Sequence, residues 1–403
     1  MNGLRAVNLD TELDLTWLRQ YVNEVIAPEN ARDPEGQKIN FAIYEELYKQ
    51  GIMQVVTPKE FGGKEASVID LCWIVRELGY GSASAAATFI GNMLGYSAPI
   101  LYASPSLKEK ICRDYMSKYS LWSFAMTEGE TGSDLINTRT VAREVKGGFE
   151  ITGEKNFITN ATYSSHITVF ARLIDKNGKD LGVSCFYIRG DNPGVERGPI
   201  MDKIGWKKAN TGTIYFNKAF IPSENLLGEP GGGLRILTHC LNRSKTLLGA
   251  LGVGIAMKAL HLTQERLLDT ERYGKPLLDQ GAIRHLLARL HTKTEAAWLL
   301  TCRAAATWDE GLPAVKEASM AKLFSGATAS EVTTQTMELF GARGFFNEYE
   351  IARLNRDAKA IEIVEGPSLV QELLIAKETL PRKKTTASDV FTLTSKDVKK
   401  RAA

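Results

Sequence analysis

FAMTEGETGSD, residues 124–134, marks the point where the sequence changes character. Before this segment, from about residue 14 to 116, apolar residues recur at helical spacing. After it, up to about residue 233, short runs rich in β-branched and aromatic residues are separated by clusters of Gly, Asn and Asp. These two patterns are typical of a helical layer followed by a sheet. The loop is therefore predicted to lie where a helical domain ends and a β-domain begins.

Individual elements can be predicted on each side of this loop. In the N-terminal segment, Pro28 is expected to end the first helix and Ser67 to begin a later one. In the β-rich segment, the patterns predict three strands, at His166–Leu173, Val183–Ile188 and Thr211–Phe216.

The last third of the chain is helical again, with long Leu- and Ala-rich stretches at Leu247–Leu268 and Ala282–Trp308. The GxxGxG string at 249–254 follows no strand, so it does not indicate a dinucleotide-binding loop. Helices, then strands, then helices predict an α+β fold. The predicted parts are a helical N-terminal domain at 1–120, an antiparallel β-domain at 121–233, a C-terminal helical bundle at 234–380 and a basic flexible tail at 381–403.

Composition excludes several classes of protein. The chain has 403 residues, 44% hydrophobic and 24% charged, which is typical of a globular protein of two or three domains. The segment 381–403 holds seven Lys or Arg and two Asp, so of the net charge of +3 the body carries −2, unlike a nucleic-acid-binding protein. The five cysteines form no CxxC pair, so neither a metal site nor a disulfide framework is predicted. With early acidic residues and no apolar run of membrane-spanning length, we expect a cytoplasmic protein without a membrane span.

Two further segments stand out. One is EKNFITNA at 154–161, and the other is IVEGPSLVQ at 363–371, which contains Glu365. Taken alone, Glu365 would be interpreted as an exposed residue at the start of a helix. The three marked segments, in this order and at these separations, resemble the acyl-CoA dehydrogenase family. The resemblance runs from about residue 10 to 380 and implies that the C-terminal domain is a four-helix bundle.

The resemblance implies an FAD site built from both upstream loops. The first loop is similar to the family's T-E-P-x-x-G-S-D motif, with Gly129 in place of the proline, and would contact the pyrimidine edge and pyrophosphate of the flavin. The second is similar to K-x-W-I-T-N, with Phe157 in place of the tryptophan, and would lie against the flavin ring system. The residues expected to bind the cofactor are Phe124, Met126, Thr127, Gly132, Ser133, Phe157, Thr159, Arg272, Gly341 and Pro367.

The resemblance also implies the chemistry, which is α,β-dehydrogenation of an acyl thioester. Such a reaction needs a base for the α-proton, hydrogen bonds to the developing enolate oxygen, and a hydride acceptor. Glu365 is the expected base, because the other position that some members use is Ser244, which cannot serve. Asn242 and Gly366 are expected to contact the substrate, and glycine at 366 would allow the backbone to approach the thioester.

Four further positions depart from the family pattern. Thr270 replaces an arginine, Glu338 a glutamine, Pro367 a threonine and Lys245 an arginine. The first two belong to the part of the family's site that holds the ADP arm of FAD across a subunit interface, so weaker pyrophosphate binding is expected unless Arg272 or Arg343 compensates.

The sequence thus predicts an FAD-dependent dehydrogenase acting on an acyl-CoA, as a homodimer or homotetramer, with an electron-transfer flavoprotein as one candidate oxidant. Two alternatives stay open on the same fold. One is an enzyme that uses an acyl-carrier-protein thioester or takes O2 as its oxidant. The other is a binding protein without flavin.

Overall fold

The computed structural model describes residues 10–33, 35–132, 134–272 and 274–380. Ser133 and the predicted basic tail, 381–403, lie outside the described residues. The N-terminal part is helical, as predicted. Its α-helices are α1 (Thr16–Tyr21), α2 (Ala27–Arg32), α3 (Phe41–Lys49), α4 (Val68–Gly81), α5 (Ala83–Tyr102) and α6 (Pro105–Ser117).

Of the two helix boundaries predicted in this region, one is confirmed and one is wrong. Ser67 caps α4 by accepting a hydrogen bond from the Asp70 backbone N–H, while the Asp70 carboxylate accepts one from the Ser67 N–H. Pro28, in contrast, does not end a helix. It occupies the first turn of α2, directly after a π-helical turn at Val22–Ile26, and the missing N–H of proline is tolerated in a first turn.

The central part is one eight-stranded sheet in the order β6-β7-β3-β2-β4-β5-β8, with β1 paired to β4. All three predicted strands are confirmed and extend further than the patterns indicated. The pairing is mainly antiparallel, but β4 runs parallel to both β1 and β2. The strands are β1 (Trp122–Ala125), β2 (Val141–Val145), β3 (Gly148–Thr159), β4 (His166–Ile174), β5 (Asp180–Arg189), β6 (Val195–Ile200), β7 (Thr211–Pro222) and β8 (Leu226–Leu227).

The C-terminal part is a helical bundle. A short hairpin of β9 (Glu271–Arg272) and β10 (Lys275–Pro276) joins its first two helices. The helices are α7 (Gly233–Leu268), α8 (Gly281–Asp309), α9 (Val315–Leu339), α10 (Glu350–Ile363) and α11 (Ser368–Thr379).

The 36-residue helix α7 packs against α4 and α5 of the N-terminal part as well as against α8, α9 and α10. By length and composition it could cross a membrane, but 78% of its most apolar stretch is buried inside the protein, as in a core helix. One hydrophobic core therefore joins the N- and C-terminal helices, while the sheet has a second core of its own.

Candidate active site

A buried ion pair fixes the two upstream loops to each other. The Lys155 Nζ donates to Glu128 Oε1 at 2.7 Å and to the Met126 carbonyl at 2.9 Å. The Glu128 carboxylate also accepts from the Thr138 hydroxyl and from the backbone N–H groups of Arg139 and Thr140. These hydrogen bonds lower the pKa of Glu128 to about 2, although burial opposes the shift. The loop at 124–134 thus cannot move without the strand that carries Lys155.

Phe157 presents its ring to the outside in an unusual backbone conformation. Its φ is +61°, where a residue other than glycine is rare, and its side chain is 62% exposed. The residue lies at a register shift between β3 and β7, so a bulge turns this ring out of the sheet. The neighbouring Asn156 N–H donates to the Thr127 carbonyl at 2.7 Å, which brings Thr127 beside the Phe157 segment.

Thr159 lies against helix α5. A Cβ added to Gly91 would come within 2.8 Å of the Thr159 methyl carbon, so only glycine allows this approach. The next residue, Asn160, is buried with φ +63°, and its amide donates to the carbonyls of Thr88 and Trp122. These contacts hold the end of β3 between α5 and β1.

The residues brought together here fit a flavin. They comprise an exposed aromatic face at Phe157 and two threonine hydroxyls, of Thr127 and Thr159, that donate no hydrogen bond to any described residue. Met126 is buried beneath the loop and Phe124 is half-buried against the core, whereas Gly132 is exposed. An apolar ring surface bordered by free donors is the combination that a planar, hydrogen-bonding ring system requires.

Glu365 lies in a tight turn between α10 and α11. Both Glu365 (φ +53°) and Gly366 (φ +94°) are left-handed. Two side chains hold this turn. The Lys322 Nζ donates to the Gly366 carbonyl at 2.6 Å, and the buried Gln371 amide donates to the carbonyls of Glu365 and Gly366 at 3.2 and 2.8 Å. A non-glycine residue in this conformation marks strain that the surroundings maintain, which is common at functional sites.

The Glu365 carboxyl group points inward. Its Oε1 accepts a hydrogen bond from the Ser244 hydroxyl at 2.6 Å, and its Oε2 is buried with no partner among the described residues. Burial raises the pKa of Glu365 to about 7, while the Ser244 hydrogen bond and the positive charges of Lys245 and Lys322 oppose this. A carboxyl group poised near neutrality with a free oxygen can accept a proton.

The Glu365 turn is connected to the β-domain through α10. The loop before β7 contains Trp206, which has φ +50° and donates its backbone N–H to the buried Asp357 carboxylate at 2.6 Å. Gly205 lies so close to the Arg356 carbonyl that a Cβ would come within 2.6 Å of that oxygen. Asn210, at the end of the same loop, accepts from the Asn160 N–H through its carbonyl at 2.8 Å. One loop thus connects the Phe157 strand with the helix that leads to Glu365.

The other predicted residues occupy separate positions. Asn242 is buried on α7, two residues before Ser244. Arg272 is exposed on β9 and donates to the carbonyl of its neighbour Glu271, while Gly341 opens a turn after α9 with φ +63°. Pro367 is exposed immediately before α11. No hydrogen bond within the described residues joins Arg272 or Arg343 to the flavin loops, so their cofactor contacts stay predictions.

Sequence reasoning missed two parts of the site. Ser244 cannot act as a base, but its hydroxyl is the hydrogen-bond donor to the Glu365 carboxyl group, which the sequence does not indicate. Lys322, in the middle of α9, gave no local signal, because a lysine in a long helix is usually solvated. Ser244 and Lys322 can be recognised as parts of the site only from their contacts with the Glu365 turn, which is distant in sequence.

Comparison with known proteins agrees with this architecture. The family models for the acyl-CoA dehydrogenase N-terminal, middle and C-terminal domains match residues 12–118, 123–219 and 231–380. Cyclohexane-1-carbonyl-CoA dehydrogenase of Geobacter metallireducens is 34% identical, over 90% of this chain and 95% of its own.

Solved structures are similar as well. Butyryl-CoA dehydrogenase from Megasphaera elsdenii superposes with a TM-score of 0.86 at 28% identity, covering 92% of this chain and 100% of its own. A chain from a study of the electron transferring flavoprotein of Acidaminococcus fermentans has the same TM-score and identity, covering 90% and 96%. The chain belongs to the acyl-CoA dehydrogenase family, whose members are FAD-dependent oxidoreductases acting on acyl-CoA thioesters.

Proposed function

We propose that Glu365 is the base that removes the α-proton of the acyl thioester, and that its free Oε2 accepts this proton. The observation that carries the proposal is the buried carboxyl group with one oxygen held by Ser244 and the other without a partner. A raised pKa suits the role, because a base that titrates near the working pH combines an adequate ionised fraction with sufficient basicity.

The turn that carries Glu365 supports the same role. Lys322 and Gln371 fix the Gly366 carbonyl, so the carboxyl group enters the interior from a rigid support. Gly366 has φ +94°, and a Cβ there would come within 2.8 Å of the Gln371 amide nitrogen, so glycine allows the turn to close on Gln371. Gly366 is proposed to contact the substrate thioester through its backbone. Asn242, buried on α7 two residues before Ser244, is proposed to contact the substrate.

For the cofactor we propose that Phe124, Met126, Thr127 and Phe157, with Thr159, form the binding surface for the flavin. Bound FAD supplies the hydride acceptor for the β-carbon. The Phe157 ring would support the ring system, and the hydroxyls of Thr127 and Thr159 would donate to its polar edge. Arg272, Gly341 and Pro367 remain proposed contacts of the adenosine end.

We propose an acyl-CoA as the substrate, since the relatives that match 90% or more of this chain include a cyclohexane-1-carbonyl-CoA dehydrogenase and a butyryl-CoA dehydrogenase. The likeness to a chain from the Acidaminococcus fermentans study makes an electron-transferring flavoprotein the preferred oxidant. An acyl-carrier-protein thioester and O2 are the alternatives. Five free, buried cysteines support a reducing, cytoplasmic setting.

A homo-oligomer is proposed from an uncovered apolar surface. In α11 only Gln371 is buried, Leu369 and Leu373 are exposed, and the other apolar side chains are partly buried. Further apolar side chains are exposed on neighbouring elements of the bundle. The exposed set is Phe324, Phe345, Phe346, Ile363, Leu369 and Leu373. A surface of this kind usually marks a protein interface. Light scattering at micromolar concentration should find a dimer or tetramer, and a single 44.4 kDa particle that retains flavin would contradict the proposal.

The Glu365→Gln variant tests the function. Gln keeps the size of the side chain but cannot accept the α-proton, so flavin reduction by an acyl-CoA should slow by about 10² to 10⁴. Flavin content should be retained, because the cofactor loops lie elsewhere. The measurement is anaerobic stopped-flow bleaching with an acyl-CoA that reduces the parent protein. A variant that reduces at more than about a tenth of the parent rate would place the base elsewhere.

The same assay separates the alternatives. Bleaching by acyl-pantetheine or acyl-carrier-protein thioesters, but not by acyl-CoA, would favour the carrier-protein reading. Rapid reoxidation by O2 in the presence of product would favour an oxidase. A purified protein without a flavin spectrum, even after incubation with FAD, would favour the binding protein.

A further inference from the structure

Two lysines are buried beside the Glu365 carboxyl group. Lys245 on α7 is 5% exposed and directly follows Ser244, the hydrogen-bond partner of Glu365. Lys322 on α9 is 1% exposed. Both interact electrostatically with Glu365. Buried lysines are rare because removing an ammonium group from water is costly, so two of them at one carboxyl group require an explanation.

The two lysines differ in their contacts. Lys322 is anchored to the carbonyls of Gly366 and Glu362, at 2.6 and 3.5 Å, which explains its burial as support for the turn. The Lys245 ammonium donates no hydrogen bond and forms no ion pair within 4 Å to any residue in the described ranges. Its electrostatic partner is the Glu365 carboxyl group. No hydrogen bond or ion pair among the described residues accounts for the burial of the Lys245 side chain, so its charge is the property to test.

A positive charge near the Glu365 carboxyl group would favour its ionised form. Burial favours the neutral form of Glu365, which could not accept a proton, and nothing among the described residues bonds its Oε2. The polar groups that face it are Ser244 and Lys245 from α7, Lys322 from α9, and Gln371 from α11. The Glu362 carboxylate of α10, which also acts on Lys322, is bound to Ser330 and Lys359.

We propose that Lys245 is a positioning residue that increases the ionised fraction of the Glu365 carboxyl group at neutral pH without bonding to it. The inference rests on the proposed role of Glu365 as the base. A cation that acts through space opposes the cost of burying the carboxylate but leaves Oε2 free for the substrate proton. A direct ion pair would occupy that oxygen and lower its basicity.

The inference predicts a change in pH dependence. Removing the charge with Lys245→Met takes away an interaction that lowers the pKa of Glu365, so that pKa must rise. The base then stays protonated to a higher pH, so the acid limb of the plot of rate against pH shifts to higher pH. Lys245→Arg restores the charge and should keep the acid limb of the parent.

The experiment is the rate of flavin reduction as a function of pH for the FAD-loaded protein, with one acyl-CoA that bleaches the parent. For Lys245→Met we expect the acid limb to shift to higher pH by about one unit or more. At a given pH on that limb, the rate should then be about tenfold lower than the rate of the parent protein. Rates on the alkaline side of the limb should approach those of the parent. Lys258→Met is the matched control, since it removes a partly buried lysine of the same helix that pairs with Glu350 and Tyr80.

A second measurement does not depend on turnover. In infrared difference spectra, the carboxylic C=O band that Glu365→Gln removes should persist to a higher pH in Lys245→Met than in the parent. Lys245→Gln, a milder change, serves if Lys245→Met fails to fold. An unshifted acid limb and an unshifted band in the folded neutral variant would overturn the inference, even if Glu365→Gln is inactive. Full activity of Glu365→Gln would instead refute the proposed base itself.

Discussion

Glu128→Gln should destabilise the β-domain and weaken flavin retention together. The substitution keeps the shape of the side chain but removes the charge that the buried Lys155 ammonium contacts at 2.7 Å. It also places an amide NH2 among groups that all donate, namely the Thr138 hydroxyl and the N–H groups of Arg139 and Thr140. At least one buried donor must then lose its acceptor.

The magnitude follows from the cost of leaving Lys155 without its partner. On folding the pKa of Glu128 falls from 4.5 to about 2, whereas burial lowers the pKa of Lys155 to about 8, so the two shifts have opposite effects on stability at neutral pH and neither alone measures the pair. Breaking a buried ion pair by removing one partner typically costs about 3–5 kcal/mol. We therefore expect the free energy of unfolding to decrease by about 3–5 kcal/mol. Because the folded-state pKa of this carboxyl group is lowered, its stabilisation is present above pH 4.5 and is lost as the pH falls toward 2.

The assay is urea unfolding of the holoprotein, followed both by tryptophan fluorescence and by release of flavin. Glu154→Gln is the control, because Glu154 lies one residue from Lys155 on the same strand but is exposed. A loss below about 1 kcal/mol for Glu128→Gln, equal to that of the control, would refute the claim that this ion pair supports the two loops.

Two further predictions concern His166 and Phe157. Burial lowers the pKa of His166 to about 4, and since an unfolded histidine titrates near 6.5, the unfolded state binds a proton that the folded state excludes between these values. The stability should therefore fall by up to roughly 3 kcal/mol as the pH drops from 6.5 to 4. Melting temperatures measured between pH 7 and 5 should decline less steeply for a folded His166→Gln variant, and parallel curves would exclude His166 as the cause. Phe157→Ala should lower FAD affinity with little loss of apoprotein stability, because the ring is 62% exposed. Equal loss of both in calorimetry would instead make the ring part of the core.

Much of the fold could be predicted from local signals. The helix start predicted at Ser67 and the β-rich run at His166–Leu173 correctly placed a helix and a strand, because each signal reports nearby hydrogen bonding or burial. The prediction that Pro28 ends a helix is wrong because proline disfavours a helix interior but is tolerated in a first turn. No local sequence pattern indicates the π-helical turn that precedes it. The parallel pairing of β4 with β1 and β2 depends on chain crossings that no local pattern encodes.

Part of the candidate site could likewise be predicted from the sequence and part could not. Glu365 and the segments around Thr127 and Phe157 could be singled out because the three segments together, in this order and at these separations, resemble those of the acyl-CoA dehydrogenase family. The environment of Glu365 could not, because Ser244 and Lys322 lie 121 and 43 residues away along the chain, on two other helices. The pKa of a buried carboxyl group depends on such distant neighbours, so the sequence predicts Glu365 as the base but not which side chains set its pKa.

Helix α7 has a consequence for how the protein can be divided. At 36 residues it is about 54 Å long, and its buried side chains complete the packing of both helical parts. A fragment that stops before residue 233 would leave α4 and α5 without the helix that covers them. We expect such a fragment to aggregate when expressed alone, whereas the sheet at 122–227, which has its own core, is the better candidate for independent expression. The two terminal helical parts, separated in sequence, form a single folding unit into which the sheet is inserted.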